Sequence, residues 1–331
     1  MKIRKYILLV ATLFLLTASV AAGGCMTSGK GRTTLLDLPE RTTILCVGLD
    51  EAAGNTDVLM LIGLDFSRKE ITVLQIPRDT YFFAESVEGK INRLYPVYRA
   101  AGEDRESAMM HLTAEISDAF GITIDHYVAA DFASVSYLVD RLGGLTVNIP
   151  SDVFLGDKTI TAGERLLMGE DALAFIRHRA GYAEGDIGRL DAQKLLFLSA
   201  YKKLKNELSL TDLVLLIPDL YKRITTDMTV SGQISLAYSY ARGRTGYTVQ
   251  LLTLPGAATR ANGDTGTWYY VANKKATEAA LVQYFGSCGF DPDGRMTDTA
   301  RAHIAAIYDD DNVSFTVYTE ETIDNLEIKT D

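Results

Sequence analysis

Three long apolar runs near the start of the chain constrain its fold more than any other feature. Residues 43–48, 58–64 and 71–76 are rich in Val, Ile and Leu and show little alternation between apolar and polar positions. Such runs are typical of strands that are covered on both faces of a sheet. The polar segment 65–69 is short, so we expect the second and third strands to form a hairpin.

Helical periodicity follows these strands. Apolar residues recur at helical spacing between 108 and 119, Gly121 can end that helix, and Asp131 can cap the next one. Further segments with strand or helix patterns are 125–130, 145–149 and 247–254 for strands, and 169–176, 190–208, 212–221, 231–241 and 274–285 for helices. This interleaving predicts a layered α/β/α domain with a central mixed β-sheet flanked by helices.

We expect one domain over residues 41–290, because no repeat and no Pro- or Ser-rich linker interrupts that range. Residues 291–331 form a predicted C-terminal extension. The extension is acidic at 309–311 and has one strand-like run, 313–318, which we interpret as part of a surface extension or as an edge strand.

The N-terminus carries the pattern of an export signal. Residues 1–5 are basic, residues 6–22 are apolar, and small residues follow. Cys25 comes after Ala-Gly-Gly, as at a lipoprotein processing site, while a simple signal peptide or an uncleaved single-span anchor are the alternatives. We therefore assign 1–25 to a signal or membrane segment and 26–40 to a linker. The rest of the chain is expected outside the cytoplasm, where ATP and NAD are scarce.

Charge and cysteine content exclude several classes of function. The formal net charge is −10, which disfavours a broad nucleic-acid surface, so phosphate binding requires arginines gathered in one cleft. Cys25, Cys46 and Cys288 form neither a disulfide framework nor a zinc motif. Gly-rich phosphate loops, HExxH, GxSxG and the dinucleotide-binding fingerprint are absent from the sequence.

Charged residues stand at the ends of the three predicted strands. Asp50 follows the first and Asp57 precedes the second, so both carboxylates reach one edge if these strands are antiparallel neighbours. Paired carboxylates suit Mg²⁺ beside a phosphate, although each Asp alone is typical of a turn. Arg78 follows the third strand, and its partner is an aspartate, an incoming phosphate or the adjacent Asp79 in a surface pair. Such edges of α/β sheets commonly bind ligands.

A second basic segment follows the helix predicted at 169–176. Arg177, Arg179 and Arg189 lie within thirteen residues together with Asp186. This density in an acidic chain indicates an anion clamp, and a solvated basic patch is the alternative. His178 has no visible fixed partner and is interpreted as a surface or packing residue.

Taken in order, these segments resemble the LytR-CpsA-Psr family of cell-wall glycopolymer ligases over residues 42–285. The blocks that carry the resemblance are ILCVGLD at 44–50, TDV at 56–58, VLQIPRDT at 73–80, GKIN at 89–92, IDHYV at 124–128, LVD at 138–140 with GG at 143–144, LMG at 167–169, the segment from Arg177 to Arg189, and LPG at 254–256.

The resemblance implies a role for each matching position. Asp50 and Asp57 would hold Mg²⁺ and, with Arg78 and Arg179, form the catalytic set. The phosphate-binding residues would be Arg78, Lys90, Arg177, Arg179 and Arg189, and the orienting residues Asp79, Asp186 and Gln193. The implied partners are a polyprenyl-pyrophosphate-linked glycopolymer, a peptidoglycan acceptor and the membrane, with the lipid tail in an apolar groove of the domain.

The resemblance thus implies an extracytoplasmic Mg²⁺-dependent phosphotransferase of a Gram-positive-type envelope, anchored by the N-terminal segment, that moves glycopolymer phosphate to peptidoglycan. A non-catalytic binder of lipid-linked phosphates with a regulatory role, or a hydrolase of the polyprenyl pyrophosphate, are the alternatives. The non-catalytic alternative gains weight because arginines usual in the family are replaced here by Asn55, by Ala192 and by the pair 51–52.

Overall fold

The computed structural model describes residues 40–50, 54–84, 87–155, 158–177, 182, 186–243, 246–262, 265–286, 289–290 and 298–326. The predicted export signal with Cys25 and residues 26–39 of the predicted linker lie outside these residues, as does Cys288. Among the residues described, no helix is both long and apolar enough to cross a bilayer.

The strands form one central sheet and four two-stranded ribbons. In chain order and within the described residues they are β1 (Arg41–Asp50), β2 (Asn55–Asp65), β3 (Glu70–Gln75), β4 (Tyr81–Ala84), β5 (Val87–Lys90), β6 (His126–Asp131), β7 (Leu145–Ile149), β8 (Val153–Leu155), β9 (Lys158–Ile160), β10 (Gly163–Leu167), β11 (Ile224–Thr226), β12 (Thr248–Thr253), β13 (Gly256–Asn262), β14 (Thr265–Ala272) and β15 (Val317–Tyr318).

The central sheet has the order β11-β6-β1-β2-β3-β12-β15. Its pairs β1–β2 and β2–β3 are antiparallel, whereas β1–β6 and β3–β12 are parallel. The sheet is therefore mixed and the second and third strands form a hairpin, as the sequence predicts. The strand predicted at 145–149 also forms, but among the described residues it pairs with β10 in a separate ribbon and does not join the central sheet.

Helices cover both faces of this sheet. They are α1 (Leu94–Ala100), α2 (Arg105–Phe120), α3 (Phe132–Arg141), α4 (Gly169–Arg177), α5 (Asp186–Glu207), α6 (Leu210–Tyr221), α7 (Val230–Gly243), α8 (Lys274–Phe285) and α9 (Asp298–Tyr308). One apolar core contains residues of α3 to α7, and the other contains residues of α1, α2, α8 and α9. Along β1, Ile44 and Cys46 enter the first core and Leu45 and Val47 the second, so both faces of this strand are buried.

The predicted helix boundaries have a clear structural basis. The Asp131 side chain accepts a hydrogen bond from the Ser134 backbone N–H at 2.7 Å and caps α3. Gly121 ends α2 with a φ of 59°, a left-handed conformation that favours glycine. Asp131 and Gly121 thus define the helix ends that the sequence predicts.

Hydrogen bonds to the Asp65 side chain stabilise the turn between β2 and β3. Its carboxylate accepts hydrogen bonds from the Arg68 backbone N–H and the Ser67 hydroxyl, both at 2.8 Å, and from Arg41 at 3.1 Å. Burial raises the pKa of Asp65, but these hydrogen bonds outweigh it, so the pKa lies below its ordinary value. The turn is therefore stabilised by the ionised carboxylate.

Residues 298–326 pack on the same two cores. Ile304 and Tyr308 of α9 join the core beneath α8, whereas Ile323 joins the opposite one. The strand-like run 313–318 contributes only β15, which pairs with β12 at the edge of the sheet. This part of the chain therefore contributes to the core of the domain.

Candidate active site

The rim of the sheet at the end of β1 is shaped by a β-bulge. The register passes from Gly48 opposite Val58 to Leu49 opposite Thr56, so Asp57 is the extra residue. A bulge bends its strand and re-aims the extra side chain. A Cβ on Gly48 would lie 2.9 Å from the Cβ of Val58, so glycine permits the close strand approach beside the bulge.

Asp57 lies between two buried arginines. Arg78 Nη1 donates to Asp57 Oδ1 at 2.5 Å, and Arg189 Nη1 lies 3.9 Å from Asp57 Oδ2. The side chains are 12% exposed for Arg78, 10% for Asp57 and 1% for Arg189. Because a buried cation requires a nearby counter-charge, this carboxylate supports both guanidinium groups. The sequence left open whether Arg78 pairs with an aspartate, a phosphate or Asp79. In the structure it pairs with Asp57 of β2.

A second and more open ion pair stands beside the first. Arg177, the last residue of α4, donates from Nη2 to Asp50 Oδ2 at 3.2 Å. Its guanidinium also lies 3.9 Å from the centroid of the Phe132 ring, at the start of α3. Since Arg177 is 42% exposed and Asp50 17%, this pair faces the solvent side of the rim.

Lys90 and Asp79 form a third pair. Lys90 Nζ lies 2.9 Å from Asp79 Oδ1 and 5.9 Å from the centroid of the Tyr269 ring. Asp79 was expected to orient an arginine, but its ion pair in the described part of the chain is with Lys90. The reason is geometric: the β4–β5 ribbon places Lys90 beside Asp79, whereas Arg78 reaches Asp57.

Gln193 was expected to orient an arginine. Among the described contacts it lies beside Gln75 and contacts no guanidinium group. Gln75 Nε2 donates to the Leu190 carbonyl oxygen at 3.0 Å and lies 3.5 Å from Gln193 Oε1. These contacts join β3 to the turn of α5 that carries Arg189. Sequence reasoning missed Gln75, although a buried amide within the apolar run 71–76 is a signal that could have identified it.

Two predicted residues lie outside what the structure describes. Arg179, together with His178, falls in the undescribed segment 178–181, and the side chain of Asp186 at the start of α5 is also undescribed. Their catalytic, phosphate-binding and orienting roles stay predictions.

Two concavities adjoin the rim on opposite faces of the sheet. An apolar cavity of about 40 Å³ lies under α3 and α5, lined by Gly48, Val58, Met60, Val135, Leu196 and Phe197 among others. A more polar cleft of about 500 Å³ lies on the α1–α2 face and is lined by Asp50, Gly54, Asn55, Tyr95, Arg99 and Arg105 among others. No motif in the sequence pointed to the arginines of this cleft.

The carboxylates of Asp50 and Asp57 are of the type that binds Mg²⁺. Within the described ranges, no group of three or more His, Cys, Asp or Glu side chains could enclose a metal ion. Mg²⁺ at a phosphate site usually takes one or two carboxylates and completes its shell with phosphate oxygens and water. Two carboxylates at one rim, next to three arginines, therefore fit a metal that arrives with a phosphorylated ligand.

The chain is similar to known proteins over most of its length. The family model described as the LytR_cpsA_psr family matches residues 27–284. The polyisoprenyl-teichoic acid–peptidoglycan teichoic acid transferase TagU of Oceanobacillus iheyensis is 27% identical over 241 residues, which cover 71% of this chain and 72% of that protein. The transferase of the same description named TagV, from Bacillus subtilis, is 26% identical over 254 residues, covering 72% of this chain and 63% of that protein.

The fold is shared as well. The crystal structure of B. subtilis TagV superposes with a TM-score of 0.63 at 23% sequence identity, covering 76% of this chain and 99% of that one. The family match spans most of the chain, including every described side chain of the rim. The chain therefore belongs to the LytR_cpsA_psr family.

Proposed function

We propose that this protein is an extracytoplasmic, membrane-anchored phosphotransferase that moves a glycopolymer phosphate from a polyprenyl-pyrophosphate-linked donor to peptidoglycan. The observation that carries the proposal is the rim itself, where two carboxylates and three arginines stand between an apolar cavity and a polar cleft. The names of TagU and TagV, which are transferases acting between polyisoprenyl-teichoic acid and peptidoglycan, support the same reaction class.

The rim is suited to a pyrophosphate because its cations are held in place before substrate arrives. Arg78 and Arg189 are fixed by Asp57, and Arg177 by Asp50 and the ring of Phe132. Phosphoryl transfer depends mainly on positioning and charge stabilisation, and fixed guanidinium groups supply both. Mg²⁺ held by the two aspartates would add Lewis-acid stabilisation of the phosphate oxygens.

The carboxylates and the phosphates share these arginines. In the structure each carboxylate neutralises a guanidinium, so an incoming pyrophosphate competes with Asp50 and Asp57 for the same donors. Asp50 and Asp57 would hold Mg²⁺, which would supply positive charge beside the phosphate, and the three arginines would bind the phosphate oxygens. This arrangement would account for acidic residues in a site for an anion.

The apolar cavity is the proposed entry for the lipid tail. Its lining continues from Gly48 and Val58 at the rim to Leu196 and Phe197 in α5. A volume of about 40 Å³ is too small for a polyprenyl chain. Tail binding therefore requires α3 and α5 to move apart, and the leaving polyprenyl phosphate would stay on this face.

Binding of lipid-linked phosphate without turnover is the second candidate function. Two positions where family arginines are expected hold Asn55 and Ala192, so the site has fewer cations to stabilise charge in the transition state. Arg78, Arg177 and Arg189 remain at the rim, and for that reason we place the enzyme first.

The test uses the full-length protein in detergent solution with a synthetic polyprenyl-pyrophosphate glycan and soluble peptidoglycan fragments. Mass spectrometry follows the products with Mg²⁺, with EDTA, and after Mg²⁺ is restored. Arg78→Lys removes the guanidinium that donates to Asp57 while keeping the charge, and Arg68→Lys, in the β2–β3 turn, is the matched control.

We expect Mg²⁺-dependent glycan transfer that is lost in Arg78→Lys and kept in Arg68→Lys. Release of glycan phosphate to water in the presence of acceptor would identify a hydrolase. Donor binding without any turnover would identify the non-catalytic binder. Transfer that persists in EDTA would refute the role of Mg²⁺.

A further inference from the structure

Residues from three structural elements form the polar cleft on the α1–α2 face. The turn between β1 and β2 supplies Gly54 and Asn55, α1 supplies Tyr95 and Arg99, and α2 begins with Arg105 at its wall. Its volume of about 500 Å³ falls within the range of small-molecule sites, roughly 300–1,000 Å³. Asp50 belongs both to this lining and to the ion pair with Arg177.

The chemistry of the lining fits an anionic saccharide. Arg99 donates a hydrogen bond to the Glu103 carbonyl oxygen, which holds its guanidinium on the wall. Burial raises the pKa of Tyr95, so its hydroxyl stays protonated and able to donate. Together with the Asn55 amide and Arg105, these groups match hydroxyl and carboxylate oxygens. They do not match a lipid tail.

The two concavities lie on opposite sides of the charged rim. The apolar cavity is lined mainly by residues of the core under α3 to α5, whereas Leu49 and Tyr95 of the cleft belong to the opposite core. In phosphoryl transfer the attacking and leaving oxygens are roughly in line on opposite sides of the phosphorus. If the leaving group has its tail in the apolar cavity, the attacking hydroxyl must come from the cleft.

We propose that this cleft is the acceptor subsite and that it binds an anionic saccharide through Arg99 and Arg105. This assignment rests on the proposed function. The acceptor oxygen forms a bond to the phosphorus that carries the glycan, and the bond from that phosphorus to the polyprenyl phosphate breaks. The polyprenyl phosphate leaves with the electron pair, and the hydroxyl proton passes to solvent water.

The test measures acceptor binding apart from transfer. A soluble peptidoglycan tetrasaccharide that carries free carboxylates is titrated calorimetrically into the full-length protein without donor. Arg99→Gln/Arg105→Gln removes the cations, and Ala100→Trp fills the cleft from the end of α1 without changing any charge. Arg68→Gln is the matched control, because it removes an exposed arginine from the far end of β2.

We expect both cleft variants to weaken tetrasaccharide binding about tenfold or more, the loss of roughly one charge-assisted contact, with Arg68→Gln unchanged. Melting temperatures near that of the wild type confirm that the variants are folded. In the transfer assay the acceptor KM rises by a similar factor and the donor KM stays constant.

Three results overturn the assignment. They are a wild-type protein that does not bind the tetrasaccharide, cleft variants that bind it as well as the wild type, and a rise in donor KM with unchanged acceptor KM. The last result would place the donor glycan in the cleft. Failure of the proposed function would give a different result. Tetrasaccharide binding that is weakened in the cleft variants, without any glycan transfer, would support the saccharide site and refute the phosphotransferase activity.

Discussion

Replacing Asp57 by Asn tests whether one carboxylate holds two buried arginines. Asn keeps the size of the side chain and one acceptor oxygen but removes the charge that lies 2.5 Å from Arg78 and 3.9 Å from Arg189. Both guanidinium groups are almost fully buried, so the variant leaves them without this counter-charge. Removing one partner of a buried ion pair costs about 3–5 kcal/mol.

The expected destabilisation is near the lower end of that range, about 3 kcal/mol, because the Asn oxygen still accepts from Arg78. For a domain of this size 1 kcal/mol lowers Tm by about 2–4 °C, so the loss is about 6–12 °C. The measurement is thermal unfolding followed by circular dichroism in EDTA, which removes any metal from the site. Added pyrophosphate replaces the missing charge, and at a hundred times its Kd it would restore about 2.7 kcal/mol.

Asp50→Asn is the matched control. Its partner Arg177 is 42% exposed, and an ion pair at that exposure contributes about 0–1 kcal/mol. Asp50→Asn should therefore lower Tm by no more than about 4 °C, although both variants are expected to lose transfer activity. Equal Tm losses in the two variants, or an Asp57→Asn protein as stable as the wild type, would refute the proposed support of two buried cations.

Three further predictions address other parts of the molecule. Gly48→Ala should reduce transfer about tenfold or more and lower Tm by about 2–12 °C, because its Cβ displaces Val58 and with it the bulge that aims Asp57, and overpacking costs about 1–3 kcal/mol; a normal kcat would contradict this. Asp65→Asn should destabilise the protein at pH 7, and urea unfolding should show the difference begin to shrink as the pH falls below about 3.9, the pKa of an unfolded Asp, and vanish only below the lower pKa of the folded carboxylate. Leu196→Trp should raise the KM for a long-chain donor and leave that for a short-chain donor unchanged, since it fills the apolar cavity.

The rim was predictable from the sequence because strand order brings its residues together. Asp50, Asp57 and Arg78 follow or precede three apolar runs, and consecutive antiparallel strands return to the same edge. The choice of partner for Arg78 was not predictable. It depends on a bulge between Gly48 and Leu49, which adds one residue and shows no signal in the apolar pattern.

The polar cleft was missed for a different reason. Arg99 and Arg105 stand in two consecutive helices whose charged residues look like ordinary solvated faces. Only the packing of α1 and α2 against the end of β1 turns them into a wall beside Asp50. Long-range packing of this kind leaves no local periodicity, whereas the caps of α2 and α3 are local and were predicted correctly.

Two of the departures from the family pattern, Ala192 and Asn55, have different consequences. Ala192 is fully buried in the core beneath α5, so the arginine expected there would need space that this core has filled. Asn55 lines the polar cleft, which already contains Arg99 and Arg105. A cation missing at position 55 is thus offset within the same cleft, whereas one missing at position 192 is not. The described positive charge of the site therefore lies at the rim, in Arg78, Arg177 and Arg189, and in the cleft, in Arg99 and Arg105.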